Sequence, residues 1–379
     1  MSTRTRVTTG TVITGTGVWH PEHVLANDEL CVAFNAFVER ENARNAEAIA
    51  AGTKQALKPS SPEFIEKAAG IQRRYIYDKT GVLDPERMCP NIPDRRDDEL
   101  AVQAELGVSA ARRALDAAGR TGEEVDLVVC GASMMQRQYP AMAIEIQGAL
   151  GARGLGLDMT LGCASAVAAV MFASNAVQTG MATCAVVVAP ELMSCHNNWR
   201  ERDGHFLFGD AAVAMVIEPV DTATRGGWEL RSIRARSKFS TNIRNNFGFL
   251  NRCDPSTQLA ADKLFYQAGR RVYKDVIPAA QAFITEHLAA HQLAPDQIAR
   301  YWLHQANRNM NDLIAERLLG RPATRDEAPT IIEEYGNTAS AGAPIAFHLH
   351  SDDLASGSYG VLSAFGAGYS FGSLLLQRL

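Results

Sequence analysis

The sequence predicts an α/β protein built from two similar halves. Short apolar or β-branched runs alternate with longer helical patterns along the 379 residues. Segments of the second half also repeat the first at a fixed offset of 173 residues, in the same order and spacing. The length allows two domains, and a hydrophobic content of 46% is enough for sizeable cores.

The elements of the first half follow from residue pattern. Residues 11–17 are rich in β-branched side chains and end in a glycine, which predicts the first strand. The apolar runs 126–130 and 185–189 predict short, fully buried strands. Helical patterns cover residues 98–118 and 164–178, and Gly180 suits the end of the second helix because glycine commonly caps helices.

The second half repeats several of these features together. Its boundary with the first half is expected at 222–227, where proline, aspartate and glycine break the pattern. We therefore predict halves of residues 1–222 and 223–379. Continuing the repeat places Cys163 opposite Gly336, beside Asn337. The matching segments are 114–118 with 287–291, 122–125 with 295–298, and 128–130 with 301–303.

Two insertions fit neither half. Residues 39–61 are polar and rich in Ala, Glu and Lys, with a helix predicted over 38–51. Residues 80–96 contain three prolines and predict a loop. Either segment is a solvated surface insertion or forms a lid or wall of a substrate pocket.

Charge and cysteine content exclude several protein classes. A net charge of −5 gives no global basic field for nucleic acid or an anionic membrane. The sequence starts with no signal-peptide pattern and has no apolar run of about 18 residues, so we expect a cytoplasmic protein. The seven cysteines form no C-x-x-C pair, which argues against a disulfide framework or a zinc site.

Three residues are candidates for a reactive site. Cys163 lies where an apolar run meets the helix 164–178, and the positive end of a helix favours a thiolate. Asn337 begins the equivalent element of the second half, so the two should face each other across a pseudo-twofold axis. His304 follows a predicted strand, where α/β proteins usually place their sites. Taken alone, such a cysteine is more often a small buried residue.

Five segments together resemble the signatures of β-ketoacyl-acyl carrier protein synthase III, a thiolase-fold condensing enzyme. The resemblance covers nearly the whole chain except the two insertions. It implies a thiolase-like fold with a duplicated five-layer αβαβα architecture. The segments are Gly70-Ile71 with Arg73, Phe208-Gly209-Asp210, His304-Gln305-Ala306-Asn307, Tyr335-Gly336-Asn337-Thr338-Ala339-Ser340, and Phe365-Gly366-Ala367-Gly368-Tyr369-Ser370-Phe371-Gly372.

The resemblance implies a Cys-His-Asn triad of Cys163, His304 and Asn337. Cys163 would be acylated by an acyl-CoA, and the backbone N–H groups of Cys163 and Ala367 would form the oxyanion hole. His304 and Asn337 would then stabilise the enolate formed when a malonyl group loses CO₂. No metal is implied, and no cofactor beyond the acyl-CoA and malonyl-acyl carrier protein substrates.

The resemblance also implies binding residues outside the triad. Tyr139 matches a segment that crosses a homodimer interface and closes the partner's acyl pocket. Phe64 and Arg202 match positions that stack on the adenine of coenzyme A, with phenylalanine in place of the expected tryptophan. Asn307 matches a residue of the pantetheine channel. Tyr139 could instead only pack at the dimer contact, and Asn307 could have a purely structural role.

Docking of the acyl carrier protein is the least well matched feature. Lys274 and Arg308 lie near positions where the family presents basic residues to this acidic partner. Asn309 stands where an arginine is expected, so either Arg308 substitutes or the carrier docks differently. Either base could also be a simple solvated charge.

Three functions remain open at this stage. The first is the initiating condensation of fatty-acid synthesis, and the second is a specialised relative that makes a secondary product such as a dialkylresorcinol or an alkylquinolone, or transfers the acyl group elsewhere. The first function is the main prediction, and the substitutions at Phe64 and Asn309 together with both insertions keep the second open as the alternative. The third, a catalytically silent partner that keeps the fold, is disfavoured because Cys163 is present.

Overall fold

A computed structural model describes residues 10–248, 254, 256 and 260–379. Among these residues, no helix is both long and apolar enough to cross a membrane. The strands are β1 (Thr11–Trp19), β2 (His23–Ala26), β3 (Arg73–Ile76), β4 (Leu127–Gly131), β5 (Leu155–Met159), β6 (Ala185–Leu192), β7 (Asp210–Pro219), β8 (Trp228–Ser237), β9 (Ile243–Arg244), β10 (Tyr266–Gln267), β11 (Ile298–Leu303), β12 (Tyr359–Gly366) and β13 (Ser370–Arg378).

The helices lie between these strands. Short 3₁₀ turns precede β4 and β11. The α-helices are α1 (Asn27–Arg44), α2 (Ala46–Ala50), α3 (Pro62–Ala69), α4 (Thr80–Leu83), α5 (Val102–Ala118), α6 (Met142–Leu150), α7 (Ser165–Gln178), α8 (Gly269–Ala289), α9 (Arg308–Leu319), α10 (Ile332–Tyr335) and α11 (Gly342–Leu349).

Nine strands form one mixed sheet in the order β11-β12-β13-β8-β1-β7-β6-β4-β5. Strand β1 pairs with β7 along its whole length, but with β8 only at Val12–Glu229 and Ile13–Trp228. The sheet therefore consists of a five-strand part and a four-strand part that meet at a short ladder. Within them, β4 runs parallel to β5 and β6, and β11 runs parallel to β12.

Alternation of side chains along the strands creates the layers. Val186 and Val188 of β6 pack towards α5, whereas Val187 and Ala189 pack towards α7. Helices α7 and α11 share their core with inward-facing residues of both sheet parts, and α8 and α9 cover the far face of the second part. The order is helix, sheet, helix, sheet, helix, which confirms the predicted five-layer architecture.

The internal repeat is visible in the turns. The 3₁₀ helices Gly122–Glu124 and Pro295–Gln297 are separated by the predicted offset, and each leads into a buried strand. Strand β11 ends directly before His304, and β4 ends at Gly131, whose carbonyl oxygen accepts from Ser340 Oγ at 3.0 Å, three residues after Asn337. The repeat thus brings equivalent strand ends to one region of the molecule.

The first insertion differs from its prediction. The helix expected over 38–51 begins instead at Asn27 and is interrupted at Asn45. Its early start has a physical reason, because Leu30, Phe34 and Phe37 pack into a separate apolar cluster beneath the insertion. Residues 80–96, predicted as a loop, contain one helical turn, α4.

Candidate active site

Cys163, His304 and Asn337 line one cavity of about 420 Å³. Cys163 lies between β5 and α7, His304 directly follows β11, and Asn337 follows α10 after a single glycine. The predicted convergence of Cys163 and Asn337 is therefore present in the structure. The catalytic roles of the three side chains stay a prediction.

Two serines fix the turn that carries the cysteine. Ser165 Oγ accepts from the Leu161 N–H at 2.7 Å and donates to the Gly162 carbonyl at 2.6 Å. Ser370 Oγ lies 3.0 Å from the Leu161 carbonyl and 2.8 Å from the Ala367 carbonyl. The nucleophile turn is thus tied both to α7 and to the loop that contains Ala367.

The Cys163 thiol is influenced by opposing effects. Burial raises its pKa most and the Glu191 carboxylate raises it further, whereas hydrogen bonds from the N–H groups of Ala367 and Cys163 lower it. The result is a pKa of about 12. The expectation that the helix start favours a thiolate is therefore wrong for the ligand-free protein, because desolvation outweighs the amide donors.

The backbone packs closely against the cysteine at Gly366. A Cβ atom at this position would lie 2.9 Å from Cys163 Sγ and 2.8 Å from Cys163 Cβ. Only glycine leaves room for the thiol in its observed position. This contact places the end of β12, and hence Ala367, directly beside the sulfur.

His304 is held as a neutral ring. Its side chain is buried and packs edge-on against Phe365, with ring centroids 5.4 Å apart. Burial lowers its pKa to about 4, so the imidazole carries no charge at pH 7. Within the described residues, Nδ1 has no hydrogen-bond partner.

The amide of Asn337 is oriented by the turn that follows it. Its Oδ1 accepts from the Ala339 N–H at 2.9 Å, which leaves Nδ2 as the group available to a ligand. Its backbone makes two hydrogen bonds with residues 207–209. The Asn337 N–H donates to the Leu207 carbonyl at 2.9 Å, and the Gly209 N–H donates to the Asn337 carbonyl at 3.2 Å. The Phe208-Gly209-Asp210 motif therefore supports the asparagine.

Phe64 and Arg202 contact each other directly. The Arg202 guanidinium carbon lies 3.6 Å from the centroid of the Phe64 ring, and Arg202 Nε donates to the Pro59 carbonyl at 2.6 Å. The slot in which an adenine was expected is thus filled by the pair itself. The two residues are brought together as predicted, but with no gap between them.

Arg202 also faces a second cavity, of about 780 Å³, beside the first. Phe265 lines both cavities. Leu57 and Lys58 of the first insertion form part of the wall, which supports the pocket-wall interpretation of residues 39–61. The cationic side chains of this cavity are Lys58, Arg200, Arg202, Arg244 and Arg271, against the acidic Glu201 and Asp262.

Asn307 lines the reactive cavity, but both polar atoms of its side-chain amide are hydrogen-bonded within the protein. Its Oδ1 caps α9 by accepting from the Met310 N–H at 3.2 Å, and its Nδ2 donates to the Ala68 carbonyl at 2.7 Å. These bonds fix the start of α9 against α3. A structural role for Asn307 is therefore visible, beside its predicted contact with pantetheine.

The remaining predicted residues lie away from the triad within this chain. Tyr139 is 85% exposed and lines neither cavity. Lys274 is exposed on α8, and Arg308 begins α9 with its guanidinium 3.6 Å from Glu333. Asn309 donates to the Lys67 carbonyl at 3.2 Å. None of these placements tests the predicted contacts with a partner.

Sequence reasoning missed Glu191, which ends β6. Its side chain is fully buried, and burial raises its pKa to about 7 despite hydrogen bonds from Ser340 and Ser133 that lower it. The sequence did contain an indication of Glu191, because an acidic residue at the end of a run of buried apolar residues needs polar partners.

Comparisons with known proteins agree with this geometry. The sequence pattern of 3-oxoacyl-[acyl-carrier-protein] synthase III matches residues 157–236, and that of its C-terminal part matches residues 288–378. A β-ketodecanoyl-[acyl-carrier-protein] synthase of Pseudomonas aeruginosa is 50% identical over 91% of this chain and 99% of its own. A β-ketoacyl-[acyl-carrier-protein] synthase III of Gloeobacter violaceus is 34% identical over 72% of this chain and 83% of its own.

Solved structures show the same fold. A 3-oxoacyl-(acyl carrier protein) synthase III from Pseudomonas aeruginosa PAO1 superposes with a TM-score of 0.76 at 23% identity, over 97% of this chain and 98% of its own. The priming β-ketosynthase of the R1128 polyketide pathway superposes with a TM-score of 0.74 at 26% identity, over 100% of this chain and 99% of its own. The chain therefore belongs to the β-ketoacyl-acyl carrier protein synthase III family of condensing enzymes.

Proposed function

We propose that this enzyme extends an eight-carbon acyl-CoA with malonyl-acyl carrier protein to form β-ketodecanoyl-acyl carrier protein. The proposal for chain length rests on the 50% identical relative, which is named for a β-ketodecanoyl product. Condensation with a malonyl group adds two carbons, so a ten-carbon product requires an eight-carbon donor. The observation that carries the chemistry is the single cavity lined by Cys163, His304 and Asn337.

In the first half-reaction, Cys163 Sγ attacks the donor's thioester carbonyl. The new bond joins sulfur to the acyl carbon, the bond to the coenzyme A sulfur breaks, and the cysteine proton leaves with coenzyme A as its thiol. The N–H groups of Cys163 and Ala367, which hydrogen-bond the free thiol, then stabilise the tetrahedral oxyanion. Donors fixed in this way need no rearrangement during the reaction.

In the second half-reaction, the malonyl group loses its carboxylate as CO₂. The electron pair of the broken carbon–carbon bond forms an enolate, and His304 and Asn337 stabilise its oxygen by donating hydrogen bonds. A neutral His304 can donate from Nε2 only when the ring proton is on Nε2 and Nδ1 is unprotonated. Nδ1 has no hydrogen-bond partner among the described residues, so no contact there requires a proton on it. The enolate carbon attacks the acyl-cysteine, and the Cys163 thiolate leaves.

The second cavity suits the nucleotide end of coenzyme A. The side chains of Lys58, Arg244 and Arg271 border it and make no hydrogen bond or ion pair within the described residues, so their charges are available to phosphate groups. Arg202, over the ring of Phe64, would present its free guanidinium face to the adenine. The pantetheine arm would then pass Asn307 to reach Cys163.

We propose that the enzyme works as a homodimer. Tyr139 is 85% exposed, as expected for an aromatic side chain that enters a partner subunit. Strand β5 forms one edge of the sheet, and the exposed Leu155 at its start and the exposed Ile144 of α6 would extend the same surface. Lys274 and Arg308, on α8 and α9, would meet the acidic carrier protein near the cavity entrance.

Donor competition tests the proposal. The purified enzyme is given malonyl-acyl carrier protein with acetyl-, hexanoyl-, octanoyl- or decanoyl-CoA, and the carrier-bound products are identified by mass spectrometry. We expect the highest kcat/KM with octanoyl-CoA. A higher kcat/KM with acetyl-CoA would overturn the chain-length assignment, and Cys163→Ala serves as the inactive control.

A second candidate, priming of a polyketide-type chain, is favoured by the similarity to the R1128 priming β-ketosynthase at 26% identity. Both candidates use the same chemistry, and they differ in the carrier protein that is accepted. The same assay with a fatty-acid carrier and a polyketide carrier distinguishes them. Preference for the fatty-acid carrier supports the first function, and preference for the polyketide carrier supports the second.

A further inference from the structure

Glu191 connects two loops next to the reactive cavity. Its Oε1 accepts three hydrogen bonds, from Ser133 N–H at 2.8 Å, Ser340 N–H at 3.0 Å and Ser340 Oγ at 2.5 Å. Ser133 lies just after β4, and Ser340 lies three residues after Asn337. This carboxylate oxygen thus links the two loops, and Ser340 Oγ also lies 3.0 Å from the Gly131 carbonyl at the end of β4.

The rest of the carboxylate is unusual for a buried acid. Glu191 is fully buried, and within the described residues its Oε2 has no hydrogen-bond partner. An unsatisfied buried oxygen is costly, so neither packing nor surface solubility explains an acid at this position. The three bonds to Oε1 are the side-chain hydrogen bonds that this residue makes within the described part of the chain.

Those bonds act on the residues that orient Asn337. Asn337 Oδ1 is held by the Ala339 N–H at 2.9 Å, and Ala339 itself has a φ of 47°, in the left-handed region that a non-glycine residue avoids. Such a conformation persists only when its surroundings hold it in place. The neighbouring Ser340 is held by Glu191 through both its N–H and its hydroxyl.

We infer that Glu191 is a positioning residue for the decarboxylation step. It pins the turn at Ser340 to the end of β4, which keeps Ala339 in its strained conformation and thereby directs Asn337 Nδ2 into the cavity. The inference rests on the proposed function, since it assigns Asn337 to the malonyl half-reaction. Glu191 acts through Asn337 and does not touch the substrate.

Separate measurement of the two half-reactions tests this role. Acylation is followed in a single turnover as release of coenzyme A from octanoyl-CoA, and condensation as decay of the preformed acyl-enzyme after malonyl-acyl carrier protein is added. For Glu191→Ala we expect condensation to slow about 100-fold, because a misplaced donor costs that much, while acylation stays within about threefold. Glu191→Gln keeps an oxygen at Oε1, so it should restore most of the rate.

Two further variants separate positioning from folding. Ser340→Ala removes only the hydroxyl donor, and we expect a smaller slowing that is again confined to condensation. Glu218→Ala is the matched control, because Glu218 is also a buried acid on a strand but bonds to Thr14 and Arg120 instead. We expect it to leave the ratio of the two rates unchanged.

Equal slowing of both half-reactions in Glu191→Ala would overturn the inference, as would unchanged condensation in Ser340→Ala and Glu191→Ala. If Glu191→Ala does not fold, the comparison of Ser340→Ala with Glu218→Ala decides. Failure of the proposed function is distinguishable, because wild-type enzyme would then not be acylated by octanoyl-CoA at all.

Discussion

Single residues around Cys163 show how the site balances desolvation against hydrogen bonding. The sulfur accepts from two backbone N–H groups, yet burial and the Glu191 carboxylate raise its pKa to about 12. At pH 7 only about one molecule in 100,000 then carries a thiolate. The free enzyme therefore protects its nucleophile as a thiol.

This balance predicts how alkylation of Cys163 depends on pH. Below the pKa, the thiolate fraction rises with pH, so the iodoacetamide rate at Cys163 should increase about tenfold per pH unit between pH 7 and 10. Peptide mass spectrometry measures the rate at each pH, with exposed Cys89 as the reference for reagent activity. A plateau below pH 9 would contradict the raised pKa.

Gly366 gives a second prediction at this scale. Gly366→Ala places a Cβ 2.9 Å from Cys163 Sγ, so the thiol must move away from the Ala367 N–H. We expect acylation to slow about 100-fold, since fixed donors lose their alignment, with about 1–3 kcal/mol lost from the free energy of unfolding. Gly226→Ala, where a Cβ meets nothing within 4 Å, is the control. Acylation within threefold of wild type would refute the close contact.

The sequence predicted a site of Cys163, His304 and Asn337 from the internal repeat, from the strand end before His304 and from the family resemblance. It could not give the thiol pKa, since burial depends on segments distant in the chain, such as Gly366 and Glu191. The direct contact of Arg202 with Phe64 is likewise a matter of side-chain conformation, which no motif specifies.

At the scale of elements, α5 lies in very close contact with β1. A Cβ on Gly15 would lie 2.3 Å from the Ala114 carbonyl oxygen, and one on Gly17 would lie 2.4 Å from that of Ala110. The two glycines let a helix lie directly against a central strand. Gly17, predicted to end the first strand, instead lies within β1, which continues to Trp19, and both glycines have a packing function.

This contact predicts a loss of stability on substitution. Gly15→Ala forces α5 away from β1, and we expect the free energy of unfolding to fall by about 3 kcal/mol, measured by urea denaturation. Gly148→Ala is the control, because Gly148 lies within α6 with nothing within 4 Å, and alanine there should stabilise by about 0.5–1 kcal/mol. A change below 1 kcal/mol for Gly15→Ala would contradict the contact.

Strands β1, β4, β6 and β11 and helices α5 and α7 were predictable from the sequence because their periodicity is set by burial on known faces. The start of α1 was not, because its apolar face packs under an insertion whose contacts are not local. The nine-strand sheet also depends on two residue pairs between β1 and β8, which no sequence pattern marks.

At the scale of the whole molecule, the fold brings Cys163 of the first half to one cavity with His304 and Asn337 of the second. The boundary of the halves near residue 222 stays a prediction. Tyr139 is exposed and lines neither of the two cavities of its own chain. If the acyl pocket is completed by a second subunit, the donor preference depends on the assembly.

This dependence predicts a shift in donor length. In Tyr139→Ala, the shortened side chain should enlarge the partner's acyl pocket and move the optimum of kcat/KM towards donors longer than octanoyl-CoA. Analytical ultracentrifugation checks that the variant and the wild type are both dimers. An unchanged optimum in a dimeric variant would remove Tyr139 from the acyl pocket.

In the proposed reaction, Cys163 must carry the acyl group between the two half-reactions. Mass spectrometry of the peptide that contains Cys163 tests this directly. We expect octanoyl-CoA alone to leave an octanoyl group on Cys163, and malonyl-acyl carrier protein to remove it as β-ketodecanoyl-acyl carrier protein, with neither event in Cys163→Ala. Product formation without an acylated Cys163, or by Cys163→Ala, would contradict the account.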